Sequence, residues 1–150
     1  MMRSPRPDPA PGARSQTDRL AELHTRLLDT IAGLDAVLEK AEPEFVSIAR
    51  DFRTLHDRHA QAVAAMLTED GHDPAADGSF FGHVNRAVVA VRSWFDDIST
   101  NIMDALVEGE KHVLDAYDSV LEMTPEGTRR QTLTEQRTEL VALLDRHATE

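Results

Sequence analysis

PEFVSIARDFRTLHDRHAQAVAAMLT, residues Pro43–Thr68, decides the fold. Phe45, Ile48, Phe52, Leu55, His59, Ala62 and Met66 recur there at alternating steps of three and four, the spacing of a helix seam that packs on a neighbour. Glu42-Pro43 marks a corner, because proline suits a first helical turn and breaks a helix interior. Upstream, Leu20, Leu23, Leu27, Ile31, Leu34 and Leu38 carry the same spacing over a helix from about Thr17 to Ala41. A corner of two or three residues makes these two helices lie antiparallel.

Downstream, EDGHDPAADGS (69–79) is a break. A short amphipathic helix is expected from Phe80 to about Phe95, with Phe80, Val84, Val88, Val91 and Phe95 on one side and Trp94 at its end. A third long helix follows over about Ser99–Glu122, with Ile102, Leu106, Gly109, Val113, Ala116 and Val120 as its seam. Thr124-Pro125-Glu126-Gly127 reads as a turn in which Thr124 caps and Pro125 opens the last helix. That helix runs to about His147, with Leu133, Leu140, Leu143 and Leu144 inward. The expected fold is all-α: an antiparallel four-helix bundle, ferritin-like in its connectivity, with a short crossover helix between two long helical hairpins. Residues 1–16 read as a disordered tail and 17–150 as the bundle domain.

The composition narrows the function. Hydrophobic residues at 41 % and charged residues at 29 % suit a folded domain rather than a disordered chain. With 27 acidic residues against 16 Lys and Arg, the net charge of −11 argues against a nucleic-acid partner. No apolar run approaches the roughly 20 residues of a membrane span, so no membrane role is expected. The first sixteen residues lack the apolar centre of an export signal, which makes the cytoplasm the expected location. The chain has no cysteine, so disulfides, thiolate catalysis and zinc–thiolate sites are excluded within it.

Gly71-His72-Asp73-Pro74, Gly78-Ser79-Phe80-Phe81-Gly82 and Asn85-Arg86, with Gly109-Glu110, Tyr117 and the Asp29…Gly33 pair, resemble a bacterial family of ferritin-like four-helix proteins of unknown function. The resemblance covers about Leu20 to Arg146. It implies a fold and not an activity. Asn85-Arg86 departs from the His-Arg that such proteins often carry, which removes any role tied to that histidine.

Ferritin-like oxidases hold two metals with one Glu from each of two helices and Glu-x-x-His from each of the other two. Here the only Glu-x-x-His is Glu69…His72, in the linker. What remains is a mid-bundle set of metal candidates, Asp29, His56, His59 and Glu110, placed at similar heights by counting from the corners. Two carboxylates and two imidazoles suit Fe, Mn or Zn. The competing account makes His59 a satisfied core histidine, His56 a flanking surface residue and the carboxylates partners of Arg58 or Arg26. A hemerythrin-like iron site would need a histidine followed four residues on by glutamate, and Ala60 stands there after His56.

No phosphate loop, nucleophile elbow or acid–base pair is present, and no catalytic residue is assigned. The expectation is an association or stress-related module rather than an enzyme, needing no cofactor. It would act as a homo-oligomer, a dimer for instance, or with a protein partner, through Phe80, Phe81, Trp94 and Phe95. The alternative is a metal-binding protein with a non-standard site.

Overall fold

The computed structural model describes residues 11–40, 42–74 and 102–148. All four elements among these are α-helices: α1 (Pro11–Leu38), α2 (Pro43–Glu69), α3 (Ile102–Glu122) and α4 (Thr128–Ala148). No strand occurs among the described residues. The short helix expected at Phe80–Phe95, with its aromatic residues, lies outside them.

α1 starts at Pro11, six residues before the expected Thr17, so Pro11–Gln16 of the segment read as a tail are helical. Proline in the first turn costs nothing, since that turn has no internal acceptor for its missing N–H. α2 opens on Pro43 after extended Glu42 (φ −63°, ψ 150°). It closes in a Schellman motif: His72 N–H donates to the Leu67 carbonyl (2.9 Å) and Gly71 N–H to that of Thr68 (3.0 Å). Gly71 sits at φ +78°, a left-handed conformation that glycine adopts without the Cβ penalty.

The α3–α4 corner differs from expectation. α4 begins at Thr128 rather than Pro125, behind Gly127 at φ +149°. Thr124 does not cap α4; its hydroxyl donates back to the Val120 carbonyl at 2.6 Å and closes α3. Arg130 then donates to the carbonyls of Leu121 (2.7 Å) and Thr124 (2.8 Å), satisfying acceptors that the end of α3 leaves open.

Each helix packs on two neighbours: α1 on α2 and α3, and α4 on α2 and α3. The core between them is made by Leu20, Leu23, Leu27 and Leu34 of α1, Phe52, Val63 and Leu67 of α2, Val113, Tyr117 and Val120 of α3, and Leu133 and Leu140 of α4. On the outside of this core lie the contacts that set which ends meet. Thr17 near the start of α1 bonds Asp70 past the end of α2 (3.1 Å), and Arg53 pairs with Asp35 near the other end. Arg19 reaches the Ser119 carbonyl (2.9 Å) and Glu122 (3.0 Å) at the end of α3. Arg129 at the start of α4 holds Asp70 (2.9 Å), Glu69 (3.2 Å) and the Met66 carbonyl (3.2 Å), while Arg146 near the end of α4 meets Asp51 (2.9 Å).

Arg129 ties the start of α4 to both side chains and backbone at the end of α2. Arg129→Ala is expected to lower the unfolding free energy by about 1–2 kcal/mol. A urea titration checks it; Arg137→Ala, which loses only a surface pairing with Asp118, should cost less.

The seams shift by one position from the sequence reading. α2 buries Phe45, Ala49, Phe52, His56, His59, Val63 and Met66, leaving Ile48, Leu55 and Ala62 only partly covered. α3 buries Leu106, Glu110, Val113, Tyr117 and Val120, with Gly109 and Ala116 to the side. Both shifts carry polar side chains into the core.

A buried polar layer as the candidate functional site

His56 and Glu110 are each 0 % exposed. His56 Nε2 lies 2.8 Å from Glu110 Oε2 and 3.0 Å from Oε1. The contact joins α2 to α3, one of the two diagonal pairs that do not pack on each other as neighbours, and so it crosses the bundle interior. An ionised carboxylate offers acceptors only, which places the proton of this contact on Nε2. The other ring nitrogen, Nδ1, is buried with no hydrogen-bond partner. A bare lone pair left there is the cheaper of the two options, because a buried N–H without an acceptor costs about 1–3 kcal/mol. The sequence account that put His56 on the surface is thereby corrected: it shares the inward face with Phe52, whose ring centroid stands 6.4 Å away.

One helical turn on, His59 enters a second set of contacts. Its Nδ1 is 3.3 Å from Tyr117 Oη, and the two rings meet edge-on with centroids 6.3 Å apart. Tyr117 Oη donates to Gln136 Oε1 at 2.9 Å. On the other side His59 Nε2 faces Glu139 Oε1 at 3.4 Å, the long limit of a hydrogen bond, and Glu139 is held from outside by Arg58. Glu139 is half-exposed, so this chain of groups leads from the surface between α2 and α4 to the core.

Asp29 occupies α1 at the same height. Counting inward from the Asp35–Arg53 and Thr17–Asp70 contacts brings it level with His59, and counting from Arg19–Ser119 and Arg19–Glu122 brings it level with 109–112 of α3, the stretch that holds Glu110. It is part-buried. The four metal candidates thus fall in one layer of the bundle, and within it His56 and Glu110 are in direct contact. Among the described residues, no three His, Asp or Glu side chains stand together in a way that could hold a metal ion. Nor does the donor set fit the two-metal centre of ferritin-like oxidases. α2 carries His56 and His59, and α4 carries Gln136 and Glu139, at the i, i+3 positions that Glu-x-x-His would need.

Burial pushes His59 down to about 4, with His56 and Arg58 acting the same way and Glu139 opposing them. The Tyr117 phenol is pushed well above its ordinary value, first by burial and then by Glu139 and Glu110. His59 is therefore neutral and Tyr117 protonated at pH 7. The unfolded chain binds a proton at His59 near pH 6.5, whereas the fold resists it until about pH 4. The stability that His59 brings as a neutral ring is complete above pH 6.5, declines as the pH falls towards 4 and is gone below it, a loss on the order of 3 kcal/mol at most. Urea midpoints measured at pH 7, 5.5 and 4 should show a steeper fall for the parent chain than for a His59→Phe variant.

Residues 15–123 match a family described as a domain of unknown function (DUF2383). The chain belongs to this family. Its matched region takes in most of α1 and all of α2 and α3, with Asp29, His56, His59, Glu110 and Tyr117, and stops before α4. Neither the curated proteins nor the solved structures give a significant match. Among the described residues no helix is long and apolar enough to cross a membrane.

Sequence reasoning missed Tyr117, Gln136 and Glu139 as members of the layer. Tyr117 follows Glu110 by seven residues, two helical turns, which places both on one face. Gln136 follows Leu133 by three and precedes Leu140 by four, so its inward position was signalled by the leucines that flank it.

Proposed function

We propose that this chain is a non-catalytic association module of the cytoplasm, built as an antiparallel bundle on the ferritin-like plan, and that it works as a homo-oligomer. The contacts between helix ends support the plan: starts meet ends for every neighbouring pair, while His56–Glu110 and His59–Tyr117 join α2 and α3 with both numbers rising together. Neighbours that oppose and a diagonal that runs parallel are what two hairpins with a long second connection produce.

The observation that carries the functional reading is how the buried polar groups are used. Both oxygens of Glu110 are engaged by His56, and His59 lies between Tyr117 and Glu139. These groups are spent on holding α2, α3 and α4 to one another, the role best attested for buried polar residues in bundles. Chemistry on a substrate would need a poised group with access, and the His56–Glu110 pair has no exposure. Sedimentation equilibrium on the full chain tests the reading. A mass of two or more chains at micromolar concentration supports it; a monomer up to high concentration overturns self-association.

A second reading, a metal-binding protein with a non-standard mid-bundle site, is favoured by one observation: the unpartnered, buried Nδ1 of His56 beside a buried carboxylate. Metal analysis of untagged protein decides it. Stoichiometric Fe, Mn or Zn that is lost in Glu110→Gln would support the site, and its absence from protein purified without chelator would sink it.

A further inference from the structure

α4 is held differently from the other three helices. α1, α2 and α3 each bury at least five apolar side chains, whereas α4 fully buries Leu133 and Leu140. Leu143 and Leu144 pack against the core only partly buried, and charged pairs supply further contacts. Arg129 binds Asp70, Arg137 binds Asp118 (2.7 Å), Arg146 binds Asp51, and Glu139 binds Arg58. Apart from the more enclosed Arg129–Asp70, such pairs at a surface contribute little each and are weakened by salt. The face that α4 covers is itself mixed, since it presents His59 and Tyr117 as well as leucine-contacting residues. Water can satisfy those polar atoms when α4 is away, so uncovering this face costs less than uncovering a wholly apolar one. α4 is also the helix that the family match leaves out.

We propose that α4 is an exchangeable helix: two copies of this chain associate by each laying its α4 into the α2–α3 groove of the other. The inference rests on the association reading above and names its surface and partner. The groove selects its occupant by chemistry already visible. It takes a helix with leucines seven apart and with arginines placed to meet Asp70, Asp118 and Asp51 on its two walls. α4 of a second copy meets that requirement residue for residue. The hinge is the turn 123–127, where Gly127 has open space around it and a positive φ. Arg130, bound to the carbonyls of Leu121 and Thr124, is the clasp that keeps the hairpin closed within one chain. Exchange between identical chains leaves the groove contacts unchanged and alters only the hinge, which is why it is a low-cost route to a dimer.

The cysteine-free chain allows a direct test. Full-length Asp118→Cys and Arg137→Cys chains, positions that face each other across α3 and α4, are mixed, equilibrated and treated with a short bis-maleimide. The expected result is a cross-linked dimer containing one chain of each kind, in proportion to the dimer seen by sedimentation. Arg130→Ala should raise the association constant roughly tenfold by loosening the clasp. Leu140→Asp should abolish dimer formation while circular dichroism at 222 nm still reports helix. A dimer by sedimentation with no mixed cross-link would overturn helix exchange and leave the association reading standing. A monomer at all concentrations would overturn both.

Discussion

Glu110→Ala lowers the unfolding free energy by about 3–5 kcal/mol, the cost of removing one member of a buried charged or hydrogen-bonded pair. The reason lies in what is left behind. His56 has no exposure, and Nε2 loses both of its acceptors while Nδ1 already has no partner. Neither nitrogen can turn to water without opening the helix packing. Shortening the side chain also leaves a cavity between α2 and α3 that the neighbouring helices close only in part. Urea unfolding at pH 7 measures the loss directly. The companion double variant, Glu110→Leu with His56→Leu, should recover most of it, because apolar replacement of both partners removes the desolvation cost along with the pair. Recovery in the double variant, but not in the single, separates a registry role from a packing role; equal loss in both would refute the account.

Phe52→Ala is expected to cost about 3–5 kcal/mol, as large as the pair itself. Phe52 has no exposure, and its ring stands between the His56 ring at 6.4 Å and the His147 ring at 5.8 Å. It therefore supports the polar layer from one side and the last turn of α4 from the other. The loss should appear in two readouts. The unfolding midpoint falls, and amide protection at the C-terminal end of α4 falls more than at α1, because α4 has fewer apolar anchors to spare. Phe52→Leu, which keeps much of the volume, should cost less than half as much. Uniform loss of protection across all four helices would show that Phe52 acts on the core as a whole.

The number of long helices and their order were legible because leucine spacing, the two prolines at corners and the Gly71 break are local signals. The register of α2 was not. Phe45, Ile48, Phe52, Leu55 and His59 form one alternating three–four series, and Phe45, Ala49, Phe52, His56, His59 and Val63 form another. Apolar content favours the first, yet the second is the one buried. What tips the balance is the partner across the interior: Glu110 on α3 accepts from His56, and that reward is invisible when α2 is read alone. The same holds for α3, where Gly109 was placed in the seam and Glu110 took it. Pro125 misled for a local reason. The Thr124 hydroxyl could accept an N–H at the start of a following helix or donate to a carbonyl of α3, and it donates back to Val120. In the candidate site, level-counting put Asp29, His56, His59 and Glu110 in one layer, because helix rise is constant. Which of them touch depends on side-chain direction, and there the leading residues Tyr117, Gln136 and Glu139 came from patterns that a search for metal ligands passes over.

The sealing of the His56–Glu110 contact has a kinetic side. A proton lodged on Nε2 between two carboxylate oxygens, at a position with no exposure, trades with solvent only when the helices part. That proton should give a sharp signal far downfield in a one-dimensional NMR spectrum in water. Its lifetime would be a clock for the opening of the bundle, read from a single atom, and everything that loosens α2 from α3 should make the clock run faster.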